Sequence, residues 1–418
     1  MTSGALPAGS IAIPAKRAAL LLFMVGLFAW TLSNLDQSLF GYALPGLLGE
    51  FQRGPETAGL ILSLSFIAAA VAVIPAGLAA DRFGPRLILP LLLGLSAIFV
   101  GLMGLATSIV AVTLLRVLGF SLGAALSPVI NAMVLTAAPA RLRGMAIGAL
   151  QCGYPLGWLV ASLIAAPLLA SSGWRSACFA AFVVPPLALI IWLGMRRIPA
   201  AGAPATPAPS VAKSSARGGL RTLMGPRYRL HFWASFAIFF LFGGAYAGSA
   251  FFFPTFFTTE RGYSQADAAM LVGLSNGVAV IGYLSAAALG EYVMTRRNVF
   301  ILWCGLGAAA LLVLLWGSYG RTSDFAWFAV MAMFFYGAMA VLPVLVAEIF
   351  PVELRATALG ACASAPLSLG FALFPMIVPL VVARAGWVWA FTSIVTPALV
   401  GAALFAILLP SLRPSEID

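Results

Sequence analysis

The chain has 418 residues, of which 62% are hydrophobic and only 8% are charged, and its mean hydropathy is +1.05. A soluble domain is about half apolar and about a quarter charged, so this composition excludes a soluble globular protein and indicates a lipid bilayer. The formal net charge of +11 does not indicate nucleic-acid binding, because no basic patch stands clear of the apolar segments.

The sequence carries no sign of catalytic or cofactor chemistry. Its four cysteines lie inside apolar segments without metal-ligand spacing, so we interpret them as small core residues. There is no nucleotide-binding loop, and the Ser, Cys and His residues form no recognisable nucleophile arrangement. We therefore expect neither an enzyme nor an ATP-driven pump, and we expect no cofactor and no metal site.

Apolar segments of about 20 residues recur along the whole chain, and each is long enough to cross the hydrocarbon core of a membrane. Because that core holds no water for backbone groups, we expect the spans to be helices, which makes this an all-α membrane protein. The twelve predicted spans are 18–46, 56–79, 87–106, 109–137, 144–170, 174–195, 230–257, 265–290, 298–318, 324–347, 356–383 and 387–409.

The first span holds an unusual polar stretch, Trp30–Tyr42, and Asp36 is the only acidic residue that lies deep in an apolar segment. An ionisable side chain at bilayer depth is costly and is rare without a partner or a function. We predict that Asp36 is a proton site in a transport pathway. Helical spacing places Ala29, Ser33, Asp36, Phe40 and Ala43 on one face, and we expect Asn34, Gln37 and Phe40 to contact substrate.

The fourth span holds a second buried charge, Arg116. Asp36 lies about ten residues before the outer end of its span and Arg116 about eight residues after the outer start of its own. At about 1.5 Å per residue, these depths agree within a few ångströms. The depths permit an Asp36–Arg116 pair, direct or through water, and a permanently charged guanidinium can also hold a substrate carboxylate. The alternative is a pair that only locks the first half of the chain.

The fifth span carries a polar stripe on one helical face. An amide, a phenol and an indole on one face indicate a cavity wall, and the alternative is hydrogen bonding between helices. The stripe consists of Gln151, Tyr154, Trp158 and Ser162, at positions i, i+3, i+7 and i+11.

Lysine and arginine positions predict the orientation in the membrane. If the N-terminus is cytoplasmic, 17 of the 23 Lys and Arg residues are inside and 5 are outside, which places both termini in the cytoplasm. Residues 196–229 include a stretch rich in Ala, Pro and Ser, so we expect a cytoplasmic linker between bundles of six helices at 1–195 and 230–418. Low Lys with high Ala and Arg suggests a bacterial source, hence an inner membrane.

The second half offers no deep charge but has aromatic and polar residues that suit the wall of a site for an amphipathic acid. For each of them, ordinary packing is the alternative. The candidate substrate contacts are Tyr246, Asn276, Tyr283, Tyr336, Ser364 and Ser368, with Phe242, Ser249 and Phe371 beside them. We interpret Phe251–Phe253, Phe256 and Phe257 as interfacial or packing aromatics near the outer surface.

The two halves repeat each other. The segment 139–148 aligns with 351–360, both with the pattern Pro-x-x-Leu-Arg, and Gly173-Trp174 aligns with Gly386-Trp387. Parallel halves related by an axis along the membrane normal place a substrate site between them near the midplane.

These features resemble the major facilitator superfamily. The loop Gly77–Arg86 matches that family's cytoplasmic signature, a Gly followed after three residues by Asp-Arg-x-Gly-x-Arg, and the segment Arg116–Gly123 resembles the Arg-x-x-x-Gly element of its fourth helix. The resemblance implies a functional monomer whose first and fourth helices meet at a central cavity. It also implies a cytoplasmic gate of salt bridges that closes in the outward-open state, formed by Gly77, Asp81, Arg82, Gly84, Arg86, Arg143, Glu348 and Arg355.

Within that family, the segments Arg143–Gly157 and Glu348–Gly360 look like those of proton-coupled carboxylate carriers of the lactate, sialate and aromatic-acid type. The charges give a coupling mechanism: we expect an arriving anion to engage Arg116 and weaken its hold on Asp36, which then takes a proton. The sequence leaves three alternatives open. They are a proton-driven exporter of amphipathic drugs, a symporter for a neutral sugar or polyol, and a receptor or scaffold without transport.

Overall fold

A computed structural model describes residues 15–139, 143–197, 216–318 and 320–411. Its regular elements in those ranges are all helical. In the first half they are α1 (Ala15–Glu50), α2 (Pro55–Phe83), α3 (Pro85–Leu102), α4 (Ile109–Ala124), α5 (Leu126–Ala137), α6 (Arg143–Leu150), α7 (Gly153–Phe179) and α8 (Val184–Arg197). A short helix, α9 (Ala216–Leu223), follows the part of the predicted linker that lies outside the described residues.

The second half repeats this series with more interruptions. Its helices are α10 (Arg229–Ala247), α11 (Phe253–Thr259), α12 (Gln265–Tyr292), α13 (Arg296–Trp316), α14 (Arg321–Gly337), α15 (Leu342–Ile349), α16 (Val352–Ala358), α17 (Ala365–Ala390) and α18 (Thr396–Ile407). Two π-helical segments, Leu359–Ser364 and Phe391–Val395, join the last three helices.

Ten stretches of the described chain are long and apolar enough to cross a membrane. Two of them are much longer than a single crossing needs, Arg143–Arg196 with 54 residues and Glu353–Ile407 with 55. Each is broken inside by one glycine with positive φ, 75° at Gly173 and 80° at Gly386. A side chain would strain this backbone conformation, so glycine permits the sharp turn at both places.

Proline explains four further breaks, which interrupt spans predicted as continuous helices. The breaks lie at Ala125, at 151–152, at 248–252 and at 338–341. In each case a proline follows within the first three residues of the next helix, as Pro128, Pro155, Pro254 and Pro343. Proline has no N–H to donate and its ring clashes with the preceding turn, so regular α-helical hydrogen bonding is interrupted at each place. The prediction of one unbroken helix over 230–257 is therefore wrong.

Helix packing follows one plan in both halves. The helix α1 packs on α7 and α2 on α4 in the first half, while α10 packs on α17 and α12 on α14 in the second. The halves meet where α7 packs on α12 and α2 packs on α17. The two halves of the sequence repeat therefore contact each other along two helix pairs.

These two helix pairs pack tightly at the end that the charge distribution predicts to be outside, called the outer end below. A Cβ atom added at Gly59 would lie 2.1 Å from the main-chain oxygen of Pro375, and one added at Gly273 would lie 1.8 Å from the Ser162 hydroxyl. Since real Cβ atoms do not approach so closely, glycine is needed for these contacts. The halves are therefore in close contact at the outer end.

Candidate functional site

A cavity of about 270 Å³ lies between the halves, beside all four proline-associated breaks. Irregular backbone at membrane depth is tolerated where it lines a cavity or is buried in protein, which fits this position. The lining residues are Trp30, Asn34, Gln37, Phe66, Ala69, Ala70, Val73, Phe120, Ala124, Ser127, Gln151, Tyr154, Phe242, Tyr246, Phe251, Tyr283, Met339, Leu367, Ser368 and Phe371.

The lining is aromatic and apolar, with amides and hydroxyls but without a charged side chain. The structure brings seven of the predicted substrate contacts together in this wall, and they come from both halves. They are Asn34, Gln37, Gln151, Tyr154, Tyr246, Tyr283 and Ser368.

Other predicted site residues lie behind the wall or away from it. Asp36, Phe40, Arg116, Trp158, Asn276 and Tyr336 are buried in the protein and do not line the cavity. Ser364 is exposed and lies in a π-helical segment, so it is outside the cavity wall as well.

The face of α1 that lines the cavity is not the one the spacing argument favoured. Trp30, Asn34 and Gln37 line the cavity, whereas Ser33 and Asp36 contact the α3 and α4 helices. Ser33 Oγ donates to the Gly123 main-chain oxygen at 3.2 Å. The acidic face of α1 is therefore packed inside the first half.

Asp36 is fully buried and accepts one short hydrogen bond. Ser96 Oγ on α3 donates to Asp36 Oδ2 at 2.6 Å and also lies 2.9 Å from the Gly119 main-chain oxygen on α4. Asp36 Oδ1 is buried without a protein partner. Because leaving a buried polar atom unpaired costs about 1–3 kcal/mol, this oxygen is a natural position for a proton or a water molecule.

Arg116 is also fully buried, and aromatic rings surround its guanidinium. The guanidinium carbon lies 4.4 Å from the ring centroid of Phe40, 4.7 Å from that of Phe120 and 5.6 Å from that of Phe251. Arg116 Nη1 donates to the Gln37 main-chain oxygen at 3.3 Å, while Nε and Nη2 have no protein partner. The cation thus has two donors to spare.

The ion pairs of the described residues do not include Asp36 with Arg116. The two side chains contact separate partners, so the predicted direct pair is not formed in this conformation. Phe120, Phe251 and Gln37 touch Arg116 and also line the cavity. The guanidinium is therefore separated from the cavity by one layer of residues.

The predicted stripe on the fifth span divides between two environments. Gln151 and Tyr154 line the cavity, whereas Trp158 packs at 5.4 Å, ring to ring, against Tyr42. The Tyr42 hydroxyl donates to the Trp158 main-chain oxygen at 2.9 Å. The outer part of the stripe therefore contributes to helix packing, which was the alternative interpretation.

Several lining residues escaped the sequence analysis. Phe251 was interpreted as an interfacial or packing residue, yet it lines the cavity and contacts Arg116. Phe66 and Phe120 form part of the same wall, with ring centroids 4.8 Å apart. Pro254 was an available signal for Phe251, because a proline in the first turn of a helix places the preceding residues in a turn.

The residues predicted to form the cytoplasmic gate differ in exposure and in partners. Asp81, Arg82 and Arg143 are exposed, and Arg86 is partly buried. Gly84 forms the turn between α2 and α3 with φ of 82°, and a Cβ atom at Gly77 would meet no atom within 4 Å. Glu348 pairs with Arg296, which also pairs with Glu291, and Arg355 Nε has no partner.

A second buried carboxylate lies near the outer end of the second half. The side chain of Asp324 accepts hydrogen bonds from the Tyr263 hydroxyl at 2.5 Å and from the Ser318 hydroxyl at 2.7 Å. Arg261 donates to the main-chain oxygens of Ser318 and Leu314. Burial, together with the hydrogen bond to the Asp324 carboxylate, raises the pKa of Tyr263 from 10.0 to about 12.

Comparisons with known proteins agree with this architecture. The family model of the Major Facilitator Superfamily matches residues 26–343. The cis,cis-muconate transport protein of Acinetobacter baylyi is 28% identical over 84% of this chain and 86% of its own length. The niacin transporter NiaP of the same organism is 25% identical over 93% of each chain.

A solved structure shares the fold. It is a bacterial homolog to the human lysosomal transporter Spinster, in an inward-facing and unoccupied conformation, with a TM-score of 0.69 and 18% sequence identity. The match covers 94% of this chain and 95% of that one.

Proposed function

The chain belongs to the Major Facilitator Superfamily, and from that premise we propose that it moves a small, flat carboxylate across the membrane together with protons. It is a membrane transporter and not an enzyme. The observation that carries the proposal is the aromatic cavity between the halves, with a buried arginine one layer behind its wall.

We propose a topology of twelve crossings with both termini in the cytoplasm. Ten apolar stretches are described, and turns at Gly173 and Gly386 divide the two longest into two crossings each. This assigns six crossings to residues 1–195 and six to 230–418, with the linker 196–229 inside. The bacterial relatives and the residue usage support a bacterial inner membrane as the location.

The shape and chemistry of the cavity favour a flat organic acid. Aromatic rings such as Tyr154, Phe242 and Phe371 offer a surface for an unsaturated or aromatic body, and the amides of Asn34 and Gln151 offer hydrogen bonds. The names of the two relatives specify muconate, an unsaturated dicarboxylate, and niacin, a pyridine carboxylate. These names support the same substrate class for this chain.

Arg116 is the group we propose for holding the carboxylate. Its Nε and Nη2 atoms are buried without a protein partner, and together they match the two oxygens of a carboxylate. The lining has no charge of its own, and the guanidinium of Arg116 contacts two of its rings, Phe120 and Phe251, so it lies directly behind the wall. An anion bound there leaves a neutral pair in the membrane interior.

Asp36 is the group we propose for carrying the coupled proton. Its Oδ2 is held by Ser96, and its Oδ1 has no protein partner. A carboxyl group at this depth is costly when charged, so protonation removes a charge before the loaded carrier reorients. For the outward-open conformation we keep the predicted gate, with Asp81, Arg86 and Arg143 forming contacts between the halves.

The test is a measurement of internal pH in dye-loaded proteoliposomes under an inward proton gradient. Aromatic, unsaturated and short aliphatic carboxylates are added in turn, with protein-free liposomes as the baseline because weak acids cross lipid unaided. The wild-type protein is compared with Asp36→Asn and Arg116→Lys. We expect acidification above the baseline for flat carboxylates, and we expect both variants to lose it.

Substrate exchange without a gradient separates the two roles. Asp36→Asn should still exchange labelled for unlabelled carboxylate, because it retains the anion site, whereas Arg116→Lys should not, since lysine cannot offer two parallel donors. Alkalinisation on adding lipophilic cations, with no response to any acid, would instead support the exporter. Uptake of a neutral sugar that is unaffected by Arg116→Lys would support the sugar symporter.

A further inference from the structure

Phe251 belongs to the second half of the chain but packs against the first. It lies in the turn at 248–252, between α10 and α11. Its ring centroid is 5.5 Å from that of Trp158, 6.1 Å from that of Phe66 and 6.5 Å from that of Phe120, all of which belong to the first half. A Cβ atom added at Gly41 would lie 3.6 Å from the Phe251 ring, so α1 passes close by as well.

Three rings cover Arg116, and two of them are fixed to its own half. Phe40 lies on α1 and Phe120 on α4, the helix that also carries Arg116. Phe251 is the third, and it contributes a ring from the other half at 5.6 Å from the guanidinium carbon. Rings over a guanidinium attract it through their negative faces and exclude water and other ligands from it.

The covering rings also form part of the cavity wall. Phe120 and Phe251 both line the cavity, while Arg116 has no exposed surface. Two of its donors, Nε and Nη2, nevertheless have no protein partner. A cation with unused donors therefore lies directly behind a ring that the opposite half supplies.

We propose that Phe251 controls access to Arg116, so that a carboxylate in the cavity reaches the guanidinium only after this ring has moved away. This inference deepens the proposed function and rests on it for the identity of the ligand. Because Phe251 and Arg116 belong to different halves, a movement of one half relative to the other changes their separation. The ring thus makes anion binding depend on the relative position of the halves.

This arrangement also selects for ligand shape. When Phe251 leaves, the space beside the guanidinium and Phe120 is the space of one aromatic ring. A flat carboxylate can place its own unsaturated or aromatic body there and its two oxygens on Nε and Nη2. Bulky or strongly branched acids do not fit a ring-shaped space, so we expect Phe251 to be a specificity-determining residue.

The experiment measures the chemical accessibility of Arg116 directly. The full-length protein in detergent is treated with phenylglyoxal, a flat reagent that modifies guanidinium groups, and modification is read at each arginine by peptide mass spectrometry. Exposed Arg53 serves as the internal standard. The variant is Phe251→Ala, and the matched control is Phe252→Ala. Phe252 is equally buried in the same turn but packs on Trp387 in its own half, with ring centroids 5.5 Å apart.

We expect Arg116 to be nearly unmodified in the wild type and in Phe252→Ala. In Phe251→Ala its modification relative to Arg53 should rise by about tenfold, because the covering ring and its attraction for the guanidinium are gone. Equal modification of Arg116 in the two variants would overturn the proposal. If Phe251→Ala does not fold, Phe251→Leu keeps the packing volume but not the flat ring, and the same comparison with Phe252→Leu decides.

The accessibility assay contains no transported substrate, so it is independent of the transport assay. Raised modification of Arg116 with no carboxylate uptake in proteoliposomes would support the covering role of Phe251 and overturn the proposed function. Carboxylate uptake with unchanged modification of Arg116 in Phe251→Ala would support the proposed function and overturn the covering role of Phe251. A further readout is the uptake of branched acids, which Phe251→Ala should admit better than the wild type if the ring sets the shape of the site.

Discussion

The two halves of this protein share a backbone plan but differ in their chemistry. Each has a glutamate at the end of an outer helix segment, Glu50 at the end of α1 and Glu260 directly after α11, and it accepts a hydrogen bond from the residue after a glycine turn. Trp174 Nε1 donates to Glu50 at 2.7 Å, and the Trp387 main-chain N–H donates to Glu260 at 3.1 Å. Both glutamates thus fix the start of the last crossing in their half.

The buried charges do not follow this symmetry. Asp36 and Arg116 are fully buried beside the cavity in the first half, whereas the second half lines the cavity with Tyr246, Tyr283 and other uncharged residues. The second half has its own buried carboxylate, Asp324, but that residue lies near the outer end in a network with Tyr263 and Ser318. Its contacts are structural and are away from the cavity wall.

This difference teaches that the sequence repeat determines where helices bend, while the individual side chains determine where function lies. A duplicated fold needs only one half to carry the charges, because the site forms between the halves and both contribute to its wall. The uncharged half can then act as an apolar cover. If this view is correct, substitutions should have different consequences according to the half and the interface they affect.

The largest effect should come from Arg116→Met, which keeps the volume of the side chain but removes the cation. We expect carboxylate uptake to fall by about 100-fold, because charged hydrogen bonds to the substrate are lost. The control is Arg261→Met in the second half, whose guanidinium binds main-chain oxygens. That variant should lower the unfolding temperature and change substrate affinity little. Equal losses of uptake in both would remove the functional distinction between the halves.

A slightly smaller effect on uptake should distinguish a glycine at the contact between the halves from a glycine packed within one half. Gly59→Ala would place Cβ 2.1 Å from the main-chain oxygen of Pro375 in the other half, and Gly282→Ala would place it 1.8 Å from that of Met333 in the same half. Overpacking of this kind costs about 1–3 kcal/mol. We expect Gly282→Ala to lower the unfolding temperature, and Gly59→Ala to slow uptake about tenfold with a nearly normal unfolding temperature. Matching unfolding temperatures for the two variants would contradict this.

Ser96→Ala should have a moderate effect that is confined to proton coupling. It removes the hydrogen bond to Asp36, and we expect gradient-driven uptake to fall by about tenfold while substrate exchange without a gradient changes little. Ser65→Ala is the control, since that hydroxyl is equally buried but bonds to the Ile61 main-chain oxygen. A parallel loss of uptake and exchange in Ser96→Ala would show that this serine acts on packing and not on coupling.

The smallest effect concerns pH and the Asp324 network. Folding raises the pKa of Tyr263 from 10.0 to about 12, so the stabilisation from its protonated hydroxyl is complete below pH 10 and is lost as pH rises towards about 12. Tyr263→Phe has no such group. Because only the wild type loses this stabilisation, we expect its unfolding temperature to fall more between about pH 8 and pH 11 than that of the variant. Identical falls would show that Tyr263 does not contribute.

Much of the fold could be predicted from the sequence, because long apolar segments and a charge bias are strong physical signals. The break between the fifth and sixth spans followed from the gap at 171–173, and the structure confirms a break at Gly173. The polarity of Gln151 and Tyr154 predicted that their helix face points to a cavity and not to lipid, and both residues line the cavity. Membership of a transporter family followed from the loop at 77–86 and is confirmed by the family match.

The arrangement around the buried charges could not be derived in this way. Spacing places Asp36 and Phe40 on one face, but it does not say whether that face meets the cavity or a neighbouring helix. The similar depths of Asp36 and Arg116 likewise do not say in which direction each side chain points around its helix axis. Phe251 was missed because its position depends on a break in a span that is uniformly apolar, where hydropathy carries no information about backbone direction.

The turns at Gly173 and Gly386 have a practical consequence for reagents. Each connects two long helices through one glycine, with φ of 75° and 80°, and so presents hardly any chain beyond the helix ends. An antibody epitope or a protease site placed there would have to displace helical residues that hold the glutamate contacts of Trp174 and Trp387. Probes for the outer surface are therefore better inserted at 51–54, where four residues separate the end of α1 from the start of α2.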